Sequence, residues 1–254
     1  MNIINRLAFL GKAIVIHNDK GGVGKSALSI NISFAIHQMT GLKGQLVDTD
    51  PQKTSAFFMD TKLESGDNAI DYVARTSAVK ANFFKEREDY EYVVFDTQGA
   101  DSPAGREAMT IADCLIIPVN ASGFVVSRLE EMLVKAVLSK YTNEDQKTFI
   151  VFNMVEKKNT ALIRKYKKQV ENILSKILEK YGATKDEVEI YICDSSISSR
   201  PAQYDEMNEG KTIFEIADAK KNTIKGKKFD PFLEYSELLA EIQTKLINNI
   251  EVAA

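Results

Sequence analysis

The sequence predicts an α/β fold in which a mainly parallel, twisted sheet carries helices on both faces. Short apolar runs recur along the chain and alternate with stretches long enough for a helix, which is the pattern of parallel sheets. The first run leads into a glycine-rich turn that opens a helix. The length of 254 residues and the 44% share of hydrophobic residues suit a single domain, which we expect to span 1–254.

Local patterns predict the individual elements. Buried strands are expected at 13–16, 45–47, 92–95, 114–119, 148–152 and 188–193, where apolar and β-branched residues cluster. Helical spacing of apolar residues predicts an amphipathic helix over 160–181 and a last helix over 231–249. Residues 60–90 are more polar and match no element, and 218–231 are expected to form a lysine-rich surface loop.

The turn after the first strand has the context of a phosphate-binding loop, so the domain is predicted to be a P-loop NTPase. Glycines allow backbone N–H groups to converge on phosphate, and the N-terminus of the following helix adds partial positive charge. Lys25 is expected to contact the β- and γ-phosphates, and the Ser26 hydroxyl is expected to bind Mg²⁺. Nucleotide contacts are predicted for Lys20, Gly21, Gly22, Val23, Gly24, Lys25, Ser26 and Ala27.

One position departs from the standard loop G-x-x-x-x-G-K-[ST]. Asp19 stands where the first glycine is expected, and a second lysine, Lys20, follows it. A glycine turn with a surface lysine is the alternative interpretation. The run Lys-Gly-Gly-Val-Gly-Lys-Ser resembles the deviant phosphate loop of the ParA/MinD family of dimerising ATPases, and most of all the short, Soj-like partition ATPases. The resemblance implies that Lys20 reaches across a dimer interface to the partner's nucleotide.

Two carboxylates, Asp48 and Asp50, follow the second predicted strand at the edge where ligands bind in parallel sheets. Asp-x-Asp-Pro alone is often a turn that caps a helix, and this alternative stays open. The segment Asp48-Thr-Asp50-Pro-Gln52 resembles a family motif. The resemblance implies that Asp50 orients or activates the attacking water and that Asp48 lies near the metal.

A third block, Tyr92-Val-Val-Phe-Asp96, has the form of a Walker B strand, whose carboxylate meets Mg²⁺ mostly through water. Its alternative is an ordinary turn at the end of a strand. Gly99 is expected to allow close approach of the backbone to the γ-phosphate. The predicted metal residues are therefore Ser26, Asp48 and Asp96, and the predicted catalytic residues are Lys20, Lys25 and Asp50.

Asn153 ends a later strand. A guanine-specific site would carry Asn-Lys-x-Asp, but Met154 and Glu156 break that pattern, so ATP is the expected nucleotide. In relatives an asparagine at this place touches the adenine, which implies the same contact for Asn153. A turn asparagine without such a contact is the alternative.

Any contact with nucleic acid has to come from a local basic patch, because the formal net charge is −3. The stretch 197–215 resembles the C-terminal segment of the family. This resemblance implies that Arg200 contacts DNA without sequence specificity. Backbone phosphates would also meet lysines at the predicted surface loop, namely Lys220, Lys221, Lys225, Lys227 and Lys228. The lysine face of the helix over 160–181 is either simply solvated or a further DNA contact.

Composition limits the other function classes. No apolar run approaches the length of about 18 residues that a membrane span needs. Both cysteines lie in apolar runs without a C-x-x-C, which predicts buried thiols, a cytoplasmic protein, and no iron–sulfur enzyme of the nitrogenase kind. The resemblance to DNA-binding partition ATPases implies that the protein is nucleoid-associated. Glutamates in the last helix disfavour anionic lipid, so this helix is expected to pack on the domain.

The resemblance as a whole implies a partition ATPase. Its cofactors would be ATP and Mg²⁺, and its partners a second copy of the chain, non-specific double-stranded DNA and a ParB-type centromere-binding protein, with no membrane. The alternative is a MinD-like or cargo-positioning ATPase that acts on a membrane or a protein scaffold instead of DNA.

Overall fold

A computed structural model describes residues 4–66, 69–122, 129–156, 160–221 and 230–247. The strands are β1 Lys12–Ile16, β2 Gly44–Asp48, β3 Ile70–Ala74, β4 Tyr92–Asp96, β5 Cys114–Val119, β6 Lys147–Val155 and β7 Ile190–Ser198. The helices are α1 Arg6–Phe9, α2 Lys25–Thr40, α3 Thr54–Glu64, α4 Val79–Glu86, α5 Pro103–Ile111, α6 Leu129–Lys140, α7 Thr160–Tyr181, α8 Lys185–Val188, α9 Pro201–Met207, α10 Ile213–Lys221 and α11 Pro231–Ile247, with a 3₁₀ turn at Arg87–Asp89.

The strands form one parallel sheet in the order β3-β2-β4-β1-β5-β6-β7, which confirms the predicted fold class. The strand that sequence reasoning missed is β3, in the polar region that matched no element. It lies at the edge of the sheet, and of its five residues only Ile70 is buried. An edge strand with so little apolar surface carries almost no periodic signal.

Side chains of β1 alternate between two hydrophobic cores, one on each face of the sheet. Ile14 and Ile16 pack in the core that also contains α2 and α11, whereas Ala13 and Val15 pack in the core that contains α5 and α6. The last helix packs on the first of these cores through its buried apolar face, as predicted. Cys114 and Cys193 are buried and free. Among the described residues, no helix has the length and apolar character that crossing a membrane requires.

The register of the central strands positions the site. In the parallel pairing, Asp96 of β4 lies opposite both Ile16 at the end of β1 and Asp48 at the end of β2. Because β4 lies between β1 and β2, the loops that follow these three strands meet at one edge of the sheet. The glycine loop and the two predicted metal carboxylates therefore lie side by side.

A buried tyrosine fixes the start of β2 against α2. Tyr92 donates a hydrogen bond of 2.7 Å to the carbonyl of Ser33, and a Cβ at Gly44 would overlap its ring. We expect Gly44→Ala to destabilise the fold by about 1–3 kcal/mol through overpacking. Thermal unfolding measures this loss. The control is Gly21→Ala, whose new methyl meets nothing within 4 Å, and equal melting temperatures for the two variants would contradict the prediction.

Candidate functional site

The glycine loop between β1 and α2 is a tight turn whose shape depends on missing side chains. Gly22 and Gly24 have φ angles of 75° and 80°, in the left-handed region that favours glycine. A Cβ on Gly24 would also lie 2.6 Å from Nδ2 of Asn153. Gly24 immediately precedes the first residue of α2, so the backbone amides at the helix N-terminus face the loop.

Lys25, the first residue of α2, is buried with a relative exposure of 6%. Its ammonium donates a hydrogen bond of 3.1 Å to the carbonyl of Lys20, which ties the two lysines of the loop together. Burial lowers the pKa of Lys25, while the negative charges of Asp96, Asp50 and Asp19 oppose this shift. Because burial outweighs these charges, a phosphate group bound beside the ammonium would stabilise its charged form.

Asp96 is fully buried at the end of β4. Its Oδ1 accepts a hydrogen bond of 3.2 Å from Ser29, and its Oδ2 has no hydrogen-bond partner among the described residues. Burial, reinforced by the negative charge of Asp48, raises the pKa of Asp96 to about 7, although Ser26 and Lys25 favour its ionised form. A buried carboxylate oxygen without a partner, near the Ser26 hydroxyl, fits a hydrated Mg²⁺.

Asp48 caps the turn that follows β2. Its two oxygens accept hydrogen bonds of 2.9 Å from the backbone N–H groups of Asp50 and Ala56. This is the helix-capping arrangement that stayed open as an alternative, and it holds α3 against the end of the strand. Each carboxylate oxygen keeps a second lone pair, so these two hydrogen bonds leave room for a contact with a metal or its water. A place near the metal stays a prediction for Asp48.

Asp50 is half-buried at the mouth of the same turn, and its Oδ1 accepts a hydrogen bond of 2.9 Å from the N–H of Gln52. Its charge acts on Lys25, so the predicted catalytic carboxylate lies beside the predicted phosphate lysine. Gly99 closes the opposite side, since a Cβ there would lie 3.0 Å from both Cα of Gly21 and Nζ of Lys25. The loop after β4 thus approaches the phosphate loop through backbone alone.

Asn153, the predicted adenine contact, supports the glycine loop in this structure. Its side-chain amide donates a hydrogen bond of 2.8 Å to the carbonyl of Val23. Sequence reasoning missed two more asparagines that hold the loop, Asn18 and Asn120. Asn18 donates to the Pro118 carbonyl at 2.8 Å and accepts from the Lys20 N–H at 2.9 Å, while Asn120 donates to the Gly22 carbonyl at 3.3 Å. Their position directly after strands was the only sequence signal.

Arg200, the predicted DNA contact, lies in the interior with a relative exposure of 6%. Its guanidinium is 2.7 Å from the carboxylate of Glu234, which is itself buried and also accepts hydrogen bonds from the backbone N–H and hydroxyl of Ser198. The pair ties the end of β7 to α11. Contact with DNA stays a prediction for Arg200, because here its charge faces Glu234.

The remaining predicted DNA lysines are not described in full. Lys220 and Lys221 end α10, but the positions of their side chains lie outside the described residues, as do Lys225, Lys227 and Lys228 altogether. On α7, Lys167 is bound to Asp194 through contacts of 3.0 Å and 3.3 Å, so its charge is balanced. The exposed cations of α7 are Arg164, Lys165, Lys168, Lys176 and Lys180.

Known proteins resemble this chain in sequence and in fold. The maintenance of carboxysome distribution protein A of Gloeobacter kilaueensis is 30% identical over 135 residues, which cover 52% of this chain and 60% of that protein, less than two thirds of its length. An ATP complex of a Cyanothece McdA variant has a TM-score of 0.63 at 15% identity and covers 92% of this chain and 96% of that one. The structure of pNOB8 ParA bound to nonspecific DNA has a TM-score of 0.57 at 18% identity, with coverage of 96% and 99%.

Among solved structures of the same fold, one holds ATP and another holds an ATP analogue with magnesium. The residues present fit both. Lys25 and the glycine loop offer positive charge and backbone amides to phosphate. The Ser26 hydroxyl and the buried Asp96 carboxylate offer the oxygen ligands that Mg²⁺ prefers.

The raised pKa of Asp96 gives a testable dependence on pH. The pKa of Asp96 is about 7 in the folded protein without metal and about 3.8 for an unperturbed aspartate, so this group destabilises the fold as pH rises through that window. Asp96→Asn should therefore raise the melting temperature of the nucleotide-free protein by a few degrees at pH 8 and leave it almost unchanged at pH 4. It should also abolish the extra stabilisation by Mg-ATP over ATP alone.

Thermal melts of wild type and variant at both pH values, with and without Mg²⁺, measure this. Asp71→Asn, on the exposed side of the edge strand β3, is the control and should change neither property. If Mg-ATP still stabilises Asp96→Asn more than ATP alone does, Asp96 is not a residue of the metal site.

The model of the CobQ/CobB/MinD/ParA nucleotide-binding domain matches residues 14–189. This range contains the glycine loop, both aspartates that follow β2, and the aspartate that ends β4. The matched range covers well over half of the chain, and the sheet and the loop that it predicts are present in the structure. The chain therefore belongs to the CobQ/CobB/MinD/ParA family of nucleotide-binding proteins.

Proposed function

We propose that this chain is a DNA-partition ATPase in which Mg-ATP drives the formation of a sandwich dimer. The observation that carries the proposal is the pair of lysines in one loop. Lys25 is buried at the phosphate position, and Lys20 precedes the glycines with its carbonyl bound to the Lys25 ammonium. The resemblance to the deviant loop implies that this second lysine contacts the nucleotide of a partner subunit.

Each residue has a defined part in the proposed hydrolysis. Lys25 and the loop amides bind the β- and γ-phosphates, and Ser26 and Asp96 hold the metal. Asp50 orients the water that attacks the γ-phosphate, and Lys20 of the opposite subunit neutralises charge that develops in the transition state. Mg²⁺, when bound, neutralises phosphate oxygens. Hydrolysis to ADP and phosphate would release the dimer from DNA, accelerated by a ParB-type partner.

The exposed face of α7 is the described surface that best suits DNA. Five exposed cations stand on this helix, together with two exposed acidic side chains, Glu171 and Glu179. From Arg164 to Lys180 the helix rises about 24 Å, a distance over which duplex DNA presents many phosphates. The protein as a whole carries a net charge of −3, so this concentration of positive charge on one helix is local. It supports contact with backbone phosphates, which does not recognise the base sequence.

Binding to random-sequence duplex DNA tests this surface directly. We expect wild type to bind only with ATP, with an affinity that falls steeply with salt. The double variant Lys165→Gln/Lys168→Gln should lower the slope of log K against log salt by about 2, because each lost phosphate contact removes about 0.9. Fluorescence anisotropy over a salt series measures both quantities.

The matched control is Lys167→Gln on the same helix, whose charge is balanced by Asp194, and it should leave the slope unchanged. Equal slopes in all three proteins would reject α7 as the DNA surface. Arg200→Ala is a poor probe of DNA binding, because it would leave the Glu234 carboxylate buried without its cation.

The roles of the two catalytic side chains predict different defects. Lys20→Ala should reduce steady-state ATP hydrolysis at least tenfold and abolish ATP-dependent dimerisation, while ATP binding to the monomer persists through Lys25. Asp50→Ala should bind ATP and dimerise but stay bound to DNA, because the attacking water is no longer oriented. Light scattering, DNA binding and single-turnover ADP release separate the two. Normal hydrolysis in Lys20→Ala would contradict the cross-subunit role.

A second candidate function is the positioning of a protein cargo, and the 30% identity to a carboxysome-distribution protein favours considering it. The nucleotide chemistry would be the same, but the partner surface would differ. If the protein dimerises with ATP but does not bind DNA in any nucleotide state, this candidate is favoured. Flotation with anionic liposomes tests the MinD-like version, for which the acidic last helix is unfavourable.

A further inference from the structure

Asp19 poses an electrostatic problem that the nucleotide site itself does not explain. It stands at the first glycine position of the loop, directly before Lys20, and brings a negative charge toward the place where phosphate binds. Asp19 also acts on Lys25, which shows how near it lies to the phosphate lysine. A carboxylate here needs neighbours that neutralise and hold it.

The first neighbour is His17 at the end of β1, with an exposure of 1%. Nδ1 of His17 lies 2.8 Å from the Thr97 hydroxyl, which in turn lies 2.8 Å from the Ile16 carbonyl. This turns Nε2 toward Oδ1 of Asp19, at 3.2 Å. A Cβ on Gly105 of α5 would lie 2.9 Å from the His17 ring, so α5 can pack this closely against the imidazole only with glycine at this position.

The second neighbour is Lys135 in the middle of α6. Its ammonium lies 2.7 Å from Oδ2 of Asp19 and 2.9 Å from Oδ1 of Asp101. Asp101 belongs to the loop between β4 and α5, which starts at the predicted metal ligand Asp96 and contains Gly99. One ammonium therefore joins the segment that carries Lys20 to the segment that follows the metal ligand, and Arg106 supports it by pairing with Asp101.

The charges of this bridge agree with its geometry. The adjacent His17 imidazole, helped by Lys135, lowers the pKa of Asp19 to about 2, although burial acts in the opposite direction. Burial alone would lower the pKa of Lys135, but its hydrogen bonds to Asp19 and Asp101 outweigh that effect and raise it. Both carboxylates stay ionised and share one cation. Without it, two negative groups would face each other and repel.

We propose that Lys135 is a positioning residue, which clamps the loop carrying Lys20 to the loop after β4 through Asp19 and Asp101. The clamp holds Lys20 in the orientation that the proposed dimer needs, and this part of the inference rests on the proposed function. Misplacement of a catalytic group by about 1 Å can cost up to a hundredfold in rate. Lys135 touches neither phosphate nor metal in this scheme and acts through Asp19.

Hydrogen exchange of the nucleotide-free protein tests the clamp without any reference to ATP hydrolysis. The Lys20 N–H donates to Asn18, so its exchange reports the order of the loop. Lys135→Met should increase the exchange rate of amides in the segment 17–24 at least fivefold, whereas Lys135→Arg should stay within twofold of wild type. Unchanged exchange in Lys135→Met would overturn the proposal.

Lys140→Met is the matched control, because it removes a buried lysine of the same helix that pairs with Glu189, 2.6 Å away, outside the loop. It should lower the melting temperature without changing exchange in 17–24. If exchange in the segment 17–24 is as fast in Lys140→Met as in Lys135→Met, the faster exchange reflects a general loss of stability. That result would overturn the proposal.

Steady-state kinetics then test the link to catalysis. Lys135→Met should lower kcat about tenfold and change the KM for ATP less than threefold, since Lys25 and the glycines still bind the nucleotide. Asp19→Asn/Lys135→Met should be no slower than the worse single variant, because both break the same contact. Multiplicative losses would overturn the clamp. Absence of hydrolysis in wild type would refute the proposed function, while hydrogen exchange would still decide the clamp.

Discussion

The balance of charge around Lys25 and Asp96 is the constraint on which the rest of this structure depends. Both groups are buried, and burial alone would drive each of them toward its neutral form, which shows in a lowered pKa for the lysine and a raised pKa for the aspartate. Triphosphate would stabilise the charged lysine, and Mg²⁺ would stabilise the charged aspartate. The fold is thus preorganised for a ligand of strong negative charge that arrives with a cation.

The glycine loop keeps its shape because side-chain amides bind its backbone carbonyls from two sides. Asn153 approaches from the end of β6 and Asn120 from the end of β5, and each donates to a loop carbonyl. These neutral donors bind carbonyl groups and do not occupy the N–H groups of the glycines, which phosphate would use. Asn153 shows that a residue expected to recognise the base also has a structural task, so its substitution would disturb the phosphate site as well.

The contrast between Arg200 and the cations of α7 shows why charge in a sequence does not identify a binding surface. Arg200 is buried against Glu234 and joins β7 to α11. Lys167 belongs to the lysine-rich helix but is balanced by Asp194. Arg164, Lys165 and Lys168 of the same helix are exposed. Partners that are distant in sequence made this difference, and no local pattern contains them.

Local sequence was sufficient for the sheet class, for six of the strands, for the glycine loop and for the order of its carboxylates, because periodicity and glycine placement act over a few residues. Sequence reasoning did not predict the edge strand β3, because a half-exposed strand lacks a regular apolar period. Tertiary structure alone decided that Arg200 is an interior ion pair and that Lys135 meets Asp19 and Asp101. Each of these contacts joins residues whose separation is set by the register of the sheet and the packing of helices, and a sequence pattern carries no distance between them.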